Sequence, residues 1–185
     1  DWGATWAPAP RPTVGGIWSV GVDPRNSANQ LITQVDETST FGFYRTTDSG
    51  NTWTRLDQYG ADHLFYDPQI ADKIYRVSPV SFEVSVDGGA TWNVRCWLTV
   101  GARRGKIDPA DLNTIYLAAD EGLFVSSDGG ATFQRDETLP SGMAVRDIDW
   151  IDPDFLYIAT TSGVYVKWVR KMAISSVAPA AAHAA

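Results

Sequence analysis

Residues Ser85–Val94, with the sequence SVDGGATWNV, place an aspartate, two adjacent glycines, a threonine and a tryptophan in one short stretch. Glycine adopts positive φ without steric cost, and an aspartate side chain accepts hydrogen bonds from backbone amides two or more residues further on. The stretch therefore predicts a hairpin turn. Thr91 and Trp92 would begin the next strand, with the indole ring on the apolar side of its own hairpin.

The same turn recurs along the chain, with its aspartates at intervals of 47, 39 and 41 residues. The four aspartates are Asp1, Asp48, Asp87 and Asp128, the matching glycines are Gly50, Gly89 and Gly130, and the matching aromatic residues are Trp6, Trp53, Trp92 and Phe133. A second marker, Asp-Pro, begins at Asp23, Asp67, Asp108 and Asp152, at intervals of 44, 41 and 44. Two independent markers with a common period indicate an internal structural repeat.

The segments between the markers are short and rich in Val, Ile, Tyr, Phe and Thr, and they show no helical period. Four short strands in each repeat of about 40 to 45 residues are typical of a propeller blade. The sequence therefore predicts an all-β propeller of about four blades, in which Asp-Pro ends the first strand of each blade. The expected blades cover about 14–57, 60–97, 101–136 and 143–171, and an Ala/Pro-rich tail covers 172–185.

The last repeat lacks the acidic turn, because Val169 stands where its aspartate is expected. Residues 1–10 carry an acidic turn and a following strand that belong to none of the four repeats. Two alternatives follow. In one, residues 1–10 supply the missing strand and close a four-bladed ring, which removes the exposed sheet edges. In the other, the chain is the C-terminal part of a larger propeller of six to eight blades.

The recurring turn resembles the Asp-box, S-x-D-x-G-x-T-W, of BNR-repeat proteins. Residues 85–92 fit this motif, residues 126–133 differ at Phe133, and residues 46–53 differ at Thr46. The resemblance implies a sialidase-like propeller in which the Asp-boxes lie at the blade periphery and are structural. It also implies export to the periplasm or the extracellular space.

Composition excludes several functions. The net charge of -7 repels phosphate backbones, so the sequence predicts no nucleic-acid partner. No apolar run is long enough to span a membrane. Cys96 is the only cysteine and there are two histidines, which leaves few metal ligands, and one carboxylate per turn is too few for calcium. We therefore expect no metal and no cofactor.

Ligand sites in propellers lie at the central mouth, between the loops that join strand d to strand a and strand b to strand c. The basic candidates in these loops are Arg103, Arg104 and Arg146, which could bind a carboxylate or sulfate. The acidic candidates are Asp120 with Glu121 and Asp36 with Glu37, which could act as paired carboxylates. Trp18, Trp97 and Trp150 could stack on sugar rings. Solvated loop charges and core tryptophans are the structural alternatives.

The enzymes with Asp-boxes do not supply a catalytic set. No Arg-Ile-Pro segment of the sialidase type occurs, and the chain has four glutamates, so no catalytic residue is carried over. Xyloglucanase-like hydrolases use aspartates in a cleft between two propellers, which one short propeller cannot form. The sequence resembles more closely the non-enzymatic single propellers, such as photosystem II assembly factors and exported BNR-repeat proteins. It predicts a non-catalytic module that docks onto a protein complex. The alternatives are the C-terminal fragment of a glycoside hydrolase and a carbohydrate-binding propeller.

Overall fold

The computed structural model describes residues 8–170, and all regular secondary structure in this range is β. The strands form four antiparallel sheets, which confirms the predicted all-β class. The first sheet contains β1 (Gly15–Val22), β2 (Gln30–Asp36), β3 (Phe41–Thr46) and β4 (Thr54–Asp57). The second contains β5 (His63–Tyr66), β6 (Ile74–Val77), β7 (Ser81–Ser85) and β8 (Asn93–Trp97). The third contains β9 (Ala102–Asp108), β10 (Asp111–Ala119), β11 (Gly122–Ser126) and β12 (Gln134–Arg135), and the fourth contains β13 (Val145–Asp152), β14 (Phe155–Thr160) and β15 (Gly163–Trp168).

Each sheet is a meander in which consecutive strands pair as hairpins. The first strands of successive sheets, β1, β5, β9 and β13, are neighbours, so the sheets are arranged around a common axis with these strands innermost. Apolar side chains fill the spaces between successive sheets. Members of the three resulting core clusters include Leu31, Phe43 and Leu64, then Tyr75, Phe82 and Leu117, then Tyr116, Leu123 and Ile148.

The four sheets form an open arc. Among residues 8–170, the first and fourth sheets do not pack on each other as successive sheets do. The fourth sheet has three described strands, and Val164 on β15 is 72% exposed. The strand predicted from residues 1–10 lies largely in residues 1–7, outside the described residues, as does the tail 172–185.

Candidate functional site

The acidic turns Asp48–Trp53, Asp87–Trp92 and Asp128–Phe133 share one hydrogen-bond pattern. In the second of them, the Ser85 hydroxyl donates to Asp87 Oδ1 (2.8 Å) and accepts from the Gly89 amide (2.8 Å). The Thr91 amide donates to Asp87 Oδ1 (2.9 Å), and the Thr91 hydroxyl donates to Oδ2 (2.6 Å). The other two turns repeat these bonds, with Thr46 replacing serine in the first.

These bonds favour the ionised carboxylate, so they lower the pKa of Asp48 and Asp87 to about 2, and that of Asp128 also falls. The threonine bonds are the largest cause in each turn. Both oxygens of each carboxylate are engaged within the turn itself. This arrangement gives the aspartates a structural role, while Asp1 and Trp6 of the fourth copy lie outside the described residues.

The aromatic residue of the turn contacts the preceding sheet as well as its own hairpin, where the Trp92 indole donates to the Gly89 carbonyl (3.1 Å). Trp92 meets Phe43 at a ring-centroid distance of 5.5 Å, and Phe133 meets Phe82 at 5.2 Å, both edge to face. Phe43 and Phe82 are fully buried as a result. The Arg76 guanidinium also lies over the Trp92 ring, 4.3 Å from its centroid. The turns therefore join successive sheets.

The two sequence markers lie at the same edge of the molecule, which we call the turn edge. One backbone bond in each of the first three sheets joins the acidic turn to the first hairpin: Ser49 to Ala28 (3.1 Å), Gly88 to Asp72 (2.8 Å) and Gly129 to Asn113 (2.9 Å). Because the strands are antiparallel, the remaining loops lie at the opposite edge. We call this opposite edge the loop face.

On the loop face, Asp120 joins two of the basic candidates, Arg103 and Arg146. Arg103 contacts Asp120 Oδ2 at 3.1 Å, and Arg146 contacts Oδ1 at 2.8 Å. The bond from Arg103 is the main cause that lowers the pKa of Asp120. Arg104 donates to the backbone carbonyls of Asp62 and Arg103, both at 3.0 Å. Four of the candidate residues are thus neighbours, in a cluster that spans the third and fourth sheets.

The other candidates do not join this cluster. Glu121 is exposed, and its described contact is a backbone carbonyl that accepts from Arg135 (3.3 Å). Asp36 accepts from Thr38 and Thr40 within its own turn, which lowers its pKa.

The three tryptophans lie on different sheets and form no common platform. Trp18 is on β1, Trp97 is on the outer strand β8 and is 72% exposed, and Trp150 on β13 packs edge to face against Tyr116 (5.7 Å). Trp97 is therefore exposed at the outer edge of its sheet, and Trp150 is half-buried against the core. Trp18 is the member that lies beside a cavity.

His63 has a structural role in the inner wall. The Gly105 amide donates to His63 Nδ1 (3.1 Å), and the ring stacks on Phe65 at 5.4 Å. Burial, together with the nearby charges of Arg104 and Lys106, lowers the pKa of His63 to about 3. The imidazole is therefore neutral at physiological pH. Among residues 8–170, no group of three His, Cys, Asp or Glu side chains is arranged to hold a metal ion.

A groove of about 300 Å³ on the loop face is a feature that the sequence does not predict. We call it the aromatic groove, and it is lined by Trp18, Phe41, Gly60, Ala61, Asp62 and Pro79. It brings together side chains from the first and second sheets. No local pattern predicts such a contact.

Comparisons with known proteins identify the fold. The sequence matches no family model and no curated protein. Separately, residues 8–170 contain no helix with the length and apolar character that a membrane span requires. A GH74 enzyme of Niastella koreensis is 22% identical, with a TM-score of 0.72 over 83% of this chain and 29% of that chain. A GH74 xyloglucanase of Xanthomonas campestris is 18% identical, with a TM-score of 0.66 over 78% and 27%. A chain of a nidogen/laminin complex is 14% identical, with a TM-score of 0.65 over 83% and 60%.

These identities are low, so the likeness concerns the fold alone. The chain spans less than a third of the length of the two GH74 chains. Four radially arranged antiparallel sheets and this structural likeness lead to one conclusion. The described part of the chain has the β-propeller fold.

Proposed function

We propose that this chain is a non-catalytic interaction module, built from Asp-box repeats, that docks onto a protein complex through its loop face. The observation that carries this proposal is the difference between the side chains of the turn edge and those of the loop face. At the turn edge, both oxygens of each carboxylate accept hydrogen bonds from the threonine of the same turn. The loop face instead presents exposed charges and exposed aromatic rings, including Trp18 (61% exposed) and Tyr59 (62% exposed). Aromatic residues and arginine are enriched at protein interfaces.

The lowered pKa values of Asp120 and Asp36 favour a binding role for these two groups over general-acid catalysis. A glycosidase needs one carboxyl group with a raised pKa as the general acid. The two arginines on Asp120 lower its pKa, and the turn amides do the same for Asp36. Both groups are therefore poor proton donors at neutral pH. The nidogen/laminin structure is a precedent for a similar fold in a protein complex.

Site-specific photo-crosslinking in the source cell tests this proposal. A photoreactive amino acid at Glu121 would lie on the loop face, and the same amino acid at Asn51 would lie on the turn edge as the matched control. We expect a discrete adduct from Glu121 that Arg146→Glu weakens, and no adduct from Asn51. Equal adducts from both positions would contradict a docking surface on the loop face. Export, implied by the Asp-box resemblance, is part of the proposal and is checked by cell fractionation.

A glycoside hydrolase fragment is the second candidate, and the structural likeness to GH74 enzymes favours it. In that case further blades would carry the catalytic groups. The purified chain should then be inactive on xyloglucan and sialosides. Activity that appears only when the full-length source protein is assayed would support this candidate over the interaction module.

A further inference from the structure

Two exposed aromatic rings form one wall of the aromatic groove. The rings of Trp18 and Phe41 lie 6.5 Å apart, with 43° between their planes. Both remain exposed, at 61% and 44%. Gly60 allows the Phe41 ring to pack directly on the backbone of the groove, because a Cβ atom at this position would overlap the ring. Exposed aromatic surface of this kind, in a concave site, is typical of a binding surface.

Asp62 places a carboxylate in this apolar groove without a counter-ion. Its Oδ2 atom is buried and has no hydrogen-bond partner among the described residues. Burial raises the pKa of Asp62 even though Arg103 and Arg104 lie close enough to oppose this effect. Those two head groups are engaged elsewhere, Arg103 with Asp120 and Arg104 with backbone carbonyls.

The backbone holds Asp62 firmly in this position. Its amide donates to the Val77 carbonyl (2.9 Å), and its own carbonyl accepts from Arg104 (3.0 Å). The preceding residue, Ala61, accepts a bond from the Thr33 hydroxyl (3.0 Å). The backbone on which the carboxylate is carried is therefore fixed at the groove wall.

We propose that the aromatic groove binds a single lysine or arginine side chain of the protein partner. This inference rests on the proposed function and names the chemistry that its loop face recognises. The aliphatic stem would lie along the exposed faces of Trp18 and Phe41, and the cationic head would pair with Asp62. A volume of about 300 Å³ is at the lower limit for ligand pockets, which suits one side chain better than a large ligand.

The chemistry of the groove selects a cation over other ligands. A positive group is attracted both by the faces of aromatic rings and by a desolvated carboxylate. An anion would find no positively charged side chain among those that line the groove. A neutral sugar would gain the stacking contact alone, with a weaker hydrogen bond to the carboxylate.

Nuclear magnetic resonance titration of the purified chain tests the proposal, with the Trp18 indole N–H as the reporter. The probes are three blocked tripeptides, Ala-X-Ala, in which X is arginine, lysine or citrulline. We expect the arginine and lysine peptides to bind at least tenfold more tightly than the uncharged citrulline peptide. Asp62→Asn should remove this preference, while Glu121→Gln, an exposed carboxylate on the same face, should leave it unchanged.

The substitution Asp62→Asn keeps the size of the side chain and removes a desolvated charge, so the variant should fold, as a thermal melt would verify. Equal binding of the citrulline peptide, or full binding by Asp62→Asn, would overturn the proposal. So would a xyloglucan oligosaccharide that saturates the Trp18 signal in wild type and in Asp62→Asn alike, because it would identify a sugar site. Photo-crosslinking at Glu121 does not depend on this titration. If the groove does not bind the cationic peptides, the crosslinking result still decides whether the loop face docks onto a partner.

Discussion

At the scale of single residues, the aspartate and the glycine of each acidic turn have different tasks. The aspartate closes the turn through bonds to the threonine amide and hydroxyl. The glycine provides positive φ, +92° at Gly89 and +86° at Gly130, and leaves room for the phenylalanine ring of the preceding sheet. One residue therefore acts locally and the other acts between sheets.

The turn aspartates should make stability depend on pH in a defined window. The pKa of Asp48 and Asp87 is about 2 in the fold, against an ordinary value of 3.8. Their contribution is therefore complete above pH 3.8 and is lost as the pH falls through 2. We expect Asp87→Asn to melt at a lower temperature at pH 7 and to lose less on acidification from pH 4 to pH 2. Circular dichroism melts over this range measure both effects, and parallel curves for the two proteins would contradict the assignment.

Two glycines with similar φ separate backbone strain from steric overlap. Gly142 has φ of +79° and no neighbouring atom within 4 Å of an added Cβ, whereas a Cβ on Gly130 would overlap the Phe82 ring. We expect Gly142→Ala to lower the free energy of unfolding by about 1 kcal/mol from strain alone. Gly130→Ala should lower it by about 2–4 kcal/mol, because overpacking is added to strain. Urea denaturation of both variants measures the difference, and equal losses would show that the ring contact has no weight.

At the scale of secondary-structure elements, each acidic turn links two sheets. Trp92 immediately precedes β8 of the second sheet, yet its ring contacts Phe43 of the first sheet. Phe133 repeats this contact one sheet further on, against Phe82. In the fourth sheet, Val164 on β15 occupies the position that Phe43 and Phe82 hold in theirs. No turn ring of the described residues covers it, and its side chain is exposed. The exposed residue marks where another sheet would pack.

Two tryptophans of the second sheet test this linkage. Trp92→Ala removes the contact with Phe43 and the stacking of Arg76, and we expect it to lower the free energy of unfolding by about 2–4 kcal/mol. Trp97→Ala is the matched control, since its ring is exposed on the outer strand, and its effect should be within about 0.5 kcal/mol. Chemical denaturation compares them, and similar losses would mean that the inter-sheet contact does not stabilise the propeller.

At the scale of the whole molecule, the fourth sheet has three strands within residues 8–170, one fewer than each of the other sheets. The strands that follow the acidic turns pair in a common register, Val84 with Asn93 and Val125 with Gln134. The Pro10 carbonyl accepts a hydrogen bond from the Trp53 indole (3.2 Å). The segment before β1 therefore lies beside the acidic turn of the first sheet. From the fourth copy of the acidic turn in the sequence, we propose residues 1–10 as the source of a fourth strand on this sheet.

A designed disulfide tests this source. Transfer of the common register to the fourth copy of the turn pairs Ala7 with Val166, so Ala7→Cys and Val166→Cys should cross-link under mild oxidation in a Cys96→Ser background. A bond within one chain would indicate a closed four-bladed ring, and a bond between two chains would indicate head-to-tail assembly. Failure to cross-link, while each single variant remains folded, would contradict residues 1–10 as the fourth strand.

Sequence reasoning reached the turns and strands but not all of their surroundings. It predicted the strands around the Asp-Pro and acidic markers because strand propensity and turn chemistry depend on neighbouring residues. It proposed Asp120 and Arg146 separately, yet nothing local indicated that they form an ion pair. It passed over Asp62, since an aspartate in a loop is ordinary until the apolar side chains around it are known.

The sequence by itself determined the all-β class, the number of repeats and the conformation of the acidic turns, because these depend on residues a few positions apart. Only the tertiary structure decided that the turn rings pack on the preceding sheet and that Asp120 binds arginines 17 and 26 positions away. It also decided that Asp62 lies beside Trp18 in one groove. The physical reason is that such contacts depend on how the sheets are placed around the axis. That placement is set by the packing of all the cores together and by no single segment of the chain.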